Sequence, residues 1–386
     1  MKLKLLKRIG LAALVVTALI MIAVFGFGCV SGLSAIGWSG GAVHNDVLYV
    51  GSMEGRLAAI NLIDESRQWA EYLKVQSSGG LLGCSSMLSC GGDTSRVPIY
   101  GTPVVTDEQI FVAGYNGKIY AYNTINLAQR WVFPRDTYLS PFVGGLFYDD
   151  NELYVGCSDG FVYCLNATTG ELLSSYQTED KIWGTPTVAD GVVYIGSFDK
   201  NIYALNAGDL TLKWKYAIEG SIIAEPLVSN GIVYVGSFDN KLYALNAEAG
   251  TLKWTYEAKN WFWTQPVIVN DTLYAGCLDG FIYALNPATG AVVKVFGEED
   301  IAVISAFASQ PAVEGNYVVF ASKDGIVYRI DTTTQELKVL AVLTGSITGP
   351  LTVYNGIVYF QTQDIAIQRV DIESGALLLS ISLISG

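Results

Sequence analysis

The chain has 386 residues, 36 Asp and Glu against 23 Lys and Arg, a formal net charge of −13 and one histidine. A surface this acidic repels phosphate backbones and anionic headgroups, which excludes nonspecific nucleic-acid binding. The lone His44 excludes a zinc centre built on clustered histidines, and it leaves a serine nucleophile with no base other than His44 itself or a lysine.

At the N-terminus, Lys2, Lys4, Lys7 and Arg8 precede an uncharged run from Ile9 to Val30. A charged start followed by an apolar run is the pattern of a signal sequence or signal anchor, and about 20 apolar residues also suffice to span a bilayer. Within the run, Gly26-Phe27-Gly28-Cys29 is similar to the cleavage site of a bacterial lipoprotein, whose thiol becomes lipidated; Gly26 stands where such sites prefer an aliphatic residue. Three outcomes stay open for residues 1–30: cleavage with lipidation of Cys29, an uncleaved membrane anchor, and simple secretion. All three associate the chain with the envelope or export. They place the remainder outside the cytoplasm, in the periplasm where there is an outer membrane and otherwise on the outer face of the cytoplasmic membrane.

From residue 31 to 386 the chain is repetitive. Tyr194-Ile-Gly-Ser-Phe-Asp-Lys-Asn-Ile-Tyr-Ala-Leu-Asn206 recurs with small changes at Tyr234 to Asn246 and Tyr274 to Asn286, a period of 40 residues. Registering each copy on the acidic or amide residue of its turn gives eight anchors: Glu54, Asn116, Asp159, Asp199, Asp239, Asp279, Asp324 and Asp364. Seven positions after them stand Asn61, Asn123, Asn166, Asn206, Asn246, Asn286, Asp331 and Asp371. Only the first spacing, 62 residues, departs far from 40, because of a Gly- and Ser-rich insertion at 77–97. It carries Cys84 and Cys90, the candidate pair for a small disulfide loop in an oxidising compartment.

Each unit reads as four short strands. After Trp183, Gly184 to Val188 predicts a first strand, Asp190-Gly191 a turn, Val192 to Ile195 a second, Ile202 to Leu205 a third and Leu212 to Tyr216 a fourth. Units that cannot bury their own apolar faces must stack, so the expected fold is all-β: an eight-bladed β-propeller of four-stranded antiparallel blades behind the signal or anchor segment. Trp69, Trp131, Trp214 and Trp254, fifteen residues after their anchors, are expected to cover the joint with the next blade, with Ser174 and Lys294 among the replacements. Trp38, Trp183 and Trp263, sixteen before, are expected to wedge between blades near a rim. Cys157 and Cys277 fill positions held elsewhere by Ser52, Ser197 and Ser237, as buried thiols.

The pattern Thr-Pro-x-Val-x-Asp-Gly-x-Val-Tyr-x-Gly-Ser-x-Asp-x-x-x-Tyr-Ala-Leu-Asn-Ala, carried by Thr185 to Ala207 and again by Glu225 to Ala247, resembles the pyrroloquinoline-quinone-like (PQQ-like) β-propeller repeat. The resemblance covers about 38 to 384. Eight such units behind a lipoprotein-like start also resemble the lipoprotein family of outer-membrane β-barrel assembly, which implies a scaffold that holds proteins by its rims without catalysis. Quinoprotein dehydrogenases share the repeat and are the enzymatic alternative. They clasp calcium through Glu, Asn and Asp and commonly carry adjacent cysteines, a pair this sequence does not contain. A sensory or carbohydrate-binding propeller is the third reading.

The leading expectation is a non-enzymatic scaffold that binds a protein or peptide, with no cofactor and no metal. Trp261, Phe262 and Trp263 are the candidate partner-binding residues, and Arg135 to Tyr138 and Glu298 to Ile301 lie in equivalent loops.

Overall fold

A computed structural model describes residues 39–52, 55–73, 97–297, 305–362 and 366–383. Cys29, Cys84, Cys90, Trp38, Glu54, Asp364 and the acidic group Glu298 to Ile301 lie outside the described residues. Within them the chain forms eight four-stranded antiparallel sheets, each built from strands consecutive in sequence.

The blade after Trp183 shows how sequence makes the unit. Its strands are Thr187–Ala189, Val192–Gly196, Asn201–Asn206 and Leu212–Ala217. Asp190 and Gly191 take φ of 51° and 72°, the two-residue hairpin geometry that Asp, Asn and Gly reach at least cost. The two middle strands are buried on both faces and the fourth alternates between exposed and half-buried. Middle strands covered by neighbouring blades on both sides have no polar face, so they read as continuous apolar runs. The first strand begins at Thr187, later than the expected Gly184, because Pro186 has no amide to donate and Thr185 instead lines the axis.

Two positions glue blade to blade. Seventeen residues before the anchors stand Ile99, Phe142, Ile182, Ile222, Phe262, Phe307 and Ile347, all exposed by 1% or less. Each plugs the space above the preceding blade, and a small residue three before that blade's anchor makes room, glycine at Gly51, Gly156, Gly196, Gly236 and Gly276 and alanine at Ala113 and Ala321. A Cβ on Gly156, Gly196 or Gly236 would lie 2.2, 2.1 or 2.5 Å from Ile182, Ile222 or Phe262. This close approach is the reason for glycine in the Tyr-x-Gly-Ser motif.

The second position is fifteen after the anchor. The indole Nε1 of Trp131, Trp214 and Trp254 donates to the carbonyl of Ala167, Ala247 and Pro287 at 3.0, 2.9 and 2.9 Å, each in the next blade. Gly170, Gly250 and Gly290 lie against these rings with φ of 73°, 67° and 72°. Two of the joints without tryptophan keep a donor at this position, Ser174 Oγ reaching Gly208 O at 2.7 Å and Lys294 Nζ reaching Gln335 O at 2.8 Å, whereas Val339 and Leu379 offer none. At those two joints hydrogen bonding thus survives where ring area does not.

The terminal blades close the ring without exchanging a strand. Thr352 Oγ1 donates to Gly41 O at 2.6 Å, Tyr354 OH to Asp46 Oδ1 at 2.6 Å and Arg67 Nη1 to Ser382 O at 2.7 Å. Arg369 pairs with Glu65 at 2.9 Å, and Leu48, Val50, Ile60, Tyr359, Ile367, Ile381 and Leu383 form a shared core.

Candidate functional site

The repeated aspartates are engaged in building the rim. Asp199 accepts the Asn201 amide at 2.9 Å through Oδ1, and through Oδ2 the Tyr203 hydroxyl at 2.6 Å and the Glu179 amide at 2.9 Å. Asp239 and Asp279 repeat all three contacts with Lys241, Tyr243 and Glu219, and with Phe281, Tyr283 and Lys259. One carboxylate therefore ties its own turn, its blade's third strand and the link arriving from the previous blade. Burial, reinforced by these aspartates, pushes the Tyr203, Tyr243 and Tyr283 phenols up, so they act as permanent donors.

On this frame sits a continuous aromatic band. The ring of Trp183 meets Phe198 edge-on at 4.7 Å, and Phe198 meets Phe238 edge-on at 6.2 Å. Phe238 then stacks on Trp261 at 4.3 Å and on Trp263 at 5.5 Å, with interplanar angles of 11° and 16°. Phe198 and Phe238 come from anchor turns, and the tryptophans from links between blades. Lys181 lies over the rings of Trp183 and Phe198 at 4.7 and 4.4 Å. Such contacts hold the rings in place, so they present area with little entropy left to lose.

The expected trio divides. Trp261 is 38% exposed and Trp263 is partly exposed, whereas Phe262 is 1% exposed. Phe262 is the plug between two blades, a core residue with no surface to offer, like the apolar side chain at each of the other six described positions from Ile99 to Ile347. Phe198 and Phe238, which join the band, escape sequence reasoning because they sit forty residues apart and become neighbours only when blades stack. Trp183 and Trp263 do bridge blades as expected: the Trp183 Nε1 donates to Ser158 Oγ at 3.0 Å across one joint. Both also line an axial cavity.

That cavity has a volume of about 430 Å³ and is walled by residues just before or within the first strands of all eight blades. Glu225, Gln265 and Gln310 occupy one level of it on successive blades. Gln310 Nε2 donates to Gln265 Oε1 at 2.9 Å, and Gln265 Nε2 donates to Glu225 Oε1 at 3.1 Å and to Pro226 O at 2.9 Å. Burial pushes the Glu225 carboxyl up to about 7, with the Gln265 hydrogen bond opposing the rise.

Elsewhere the polar inventory is structural. Cys157 and Cys277 are buried, and each thiol donates to a backbone carbonyl, Ser140 O and Asn260 O, both at 3.2 Å. Ser197 Oγ does the same to Asp180 O at 3.2 Å, so the thiols replace serine in kind. Burial pushes both thiols well above their ordinary range. His44 ends the first strand and lies 3.0 Å from Asp107 of the next blade. Among the described residues, no three His, Cys, Asp or Glu side chains are grouped to hold a metal ion.

The solved structures similar in fold include the crystal structure of BamB from Moraxella catarrhalis, with a TM-score of 0.66 and 18% identity over 83% of this chain and 92% of that one. The computationally designed Ika8 protein matches with a TM-score of 0.70 and 15% identity over 88% of this chain and 97% of that one. At these identities the likeness is one of fold. A comparison with curated proteins finds no match. The family profile described as outer membrane protein assembly factor BamB matches residues 29–180, 136–221 and 158–378. Spanning the repeats from first to last, this match shows that the chain belongs to that family of eight-bladed propellers.

Proposed function

We propose that this protein is a non-enzymatic scaffold of the cell envelope that holds a protein partner on its aromatic rim, in the manner the family description implies for outer-membrane protein assembly. The observation that carries the reading is the band from Trp183 to Trp263: five rings from three adjacent blades, joined by edge-on and stacked contacts and open to solvent at Trp261. Preorganised aromatic area of this kind is what dominates protein interfaces. The acidic surroundings, at a net charge of −13, favour a partner segment with basic residues beside its apolar anchors.

Residues 1–30 would deliver and tether the propeller formed by 31–386, with Cys29 as the lipidated residue and Cys84 and Cys90 closing the 77–97 insertion. Native protein lacking residues 1–28 and carrying a lipid mass on Cys29 supports the tether; an intact Met1 supports an uncleaved anchor instead.

The test of the rim is quantitative pull-down from native membranes with wild type and a Phe238→Ala, Trp261→Ala double variant, both checked for equal unfolding midpoints. Recovery of the principal partner should fall at least about tenfold, as expected for losing two anchor side chains. Unchanged recovery of every partner overturns the assignment of this rim.

A further inference from the structure

The axial cavity has a chemistry distinct from the rim. Among the described residues, Glu225 is the one charged side chain in its wall. Its Oε1 accepts Gln265, while Oε2 has no hydrogen-bond partner among the described residues, and the side chain stays partly open to the cavity. The orientation of the Gln265 amide follows from its neighbours. Pro226 O can only accept, so the Gln265 nitrogen must face it and Glu225, leaving Gln265 Oε1 for Gln310. Two residues earlier on each blade lies a second level, on which Trp183 and Trp263 flank Ile223, the residue above Glu225. In extended chain, two residues separate the levels by about 6.5 Å.

A carboxylate at one depth and two indoles about one short alkyl chain above it match a cation on an aliphatic stem. A bare metal ion would find no second carboxylate, and an anion would meet Glu225 directly. We propose that the axial cavity binds an alkylammonium group, its nitrogen against Glu225 and its methylenes between Trp183 and Trp263. The source is a free small amine or a lysine side chain of a bound protein segment, and the same recognition serves both. Pairing with the cation requires the ionised carboxylate. The remaining polar side chains at that level, Thr102, Thr185, Gln265 and Gln310, are neutral, so Glu225 alone sets the pH response of the wall.

The test is calorimetric titration of the folded protein with n-butylammonium chloride, with n-butanol as the uncharged isostere. Binding of butylammonium but not butanol is expected at pH 8, weaker by about tenfold at pH 6, where a carboxyl titrating near 7 is mostly protonated. Glu225→Gln keeps the shape and should weaken binding at least about tenfold, with an unfolding midpoint at pH 8 no lower than that of wild type. Trp183→Leu should weaken it less, without altering the pH response. Equal binding of butanol, or butylammonium affinity unchanged in Glu225→Gln, overturns the proposal. A lysine-containing peptide that binds more tightly than butylammonium, and loses that gain on Lys→norleucine, assigns the source to a partner chain. A peptide that gains nothing assigns it to a free amine. Neither result depends on whether the rim band holds a partner.

Discussion

Replacing Trp254 by alanine tests the joint that holds one blade to the next. Its side chain is 8% exposed, lies across Gly290 of the following blade and packs on Tyr234 at 5.9 Å. Removing a buried indole of this kind costs about 3–5 kcal/mol through lost apolar burial and the cavity left behind. The hydrogen bond adds little to that figure, because Pro287 O also accepts the Tyr234 hydroxyl at 3.0 Å and is not left unsatisfied when Trp254 Nε1 goes. Trp254→Phe should therefore cost much less than Trp254→Ala, and Tyr234→Phe alone should cost about 1 kcal/mol or less. Combining Trp254→Phe with Tyr234→Phe strips both donors from a part-buried carbonyl, so the pair should exceed the sum of the singles by about 1 kcal/mol. Urea unfolding followed by circular dichroism gives the midpoints, and coincidence with tryptophan fluorescence checks that one transition is being measured. A loss below about 1 kcal/mol for Trp254→Ala, or strict additivity of the two Phe substitutions, refutes the shared-acceptor account of the joint.

Three further outcomes follow from the same contacts. Glu225 has a folded-state value of about 7, above its ordinary 4.5, so the folded state holds its proton more tightly and this group's contribution to stability is lost as pH rises between those values. Glu225→Gln should remove up to about 3 kcal/mol of that downward slope, less as cavity water solvates the carboxylate, read from urea midpoints at pH 4.5 and 8. Cys277→Ser should cost about 1 kcal/mol or less, since serine makes the same carbonyl contact in other blades, and native Cys277 should resist neutral-pH alkylation until unfolding. Arg369→Met breaks a pair with Glu65 that is 11% exposed on the arginine side, and should speed amide exchange in the last blade before the middle ones, measured by hydrogen-exchange mass spectrometry.

The parts legible from sequence are those that repeat. A period of 40 residues, a turn residue every period and an Asn or Asp seven later locate each hairpin, because a turn and its strands are local in the chain. The seven positions from Ile99 to Ile347 were legible too, but only by reading down all units at once; comparing Trp261-Phe262-Trp263 with Lys181-Ile182-Trp183 alone makes Phe262 look like surface aromatic excess. The axial wall was not legible. Glu225, Gln265 and Gln310 are 40 and 45 residues apart, and nothing in their local sequence says that closure of a ring will set them side by side.

Repetition also tells where function must lie. Turns, plugs and joint contacts recur from blade to blade in similar form, so they serve the frame and do little to distinguish one partner from another. Specificity has to come from positions where the blades differ while the frame stays constant. One residue before the anchor, the described blades carry Tyr115, Ser158, Phe198, Phe238, Leu278 and Lys323; eighteen before it, they carry Pro98, Pro141, Lys181, Ser221, Trp261, Ala306 and Ser346. Among the described residues, aromatic residues at these two positions join Trp183 and Trp263 in one band across three adjacent blades, while Tyr100 and Tyr115 form a separate pair on the second blade. The same sector carries Glu225, the one charged residue of the axial wall among the described residues, on its middle blade. With the aromatic band and the axial charge gathered on one side of an eight-fold frame, the proposed binding face has a direction, and a partner engaging it would be held in one orientation out of eight.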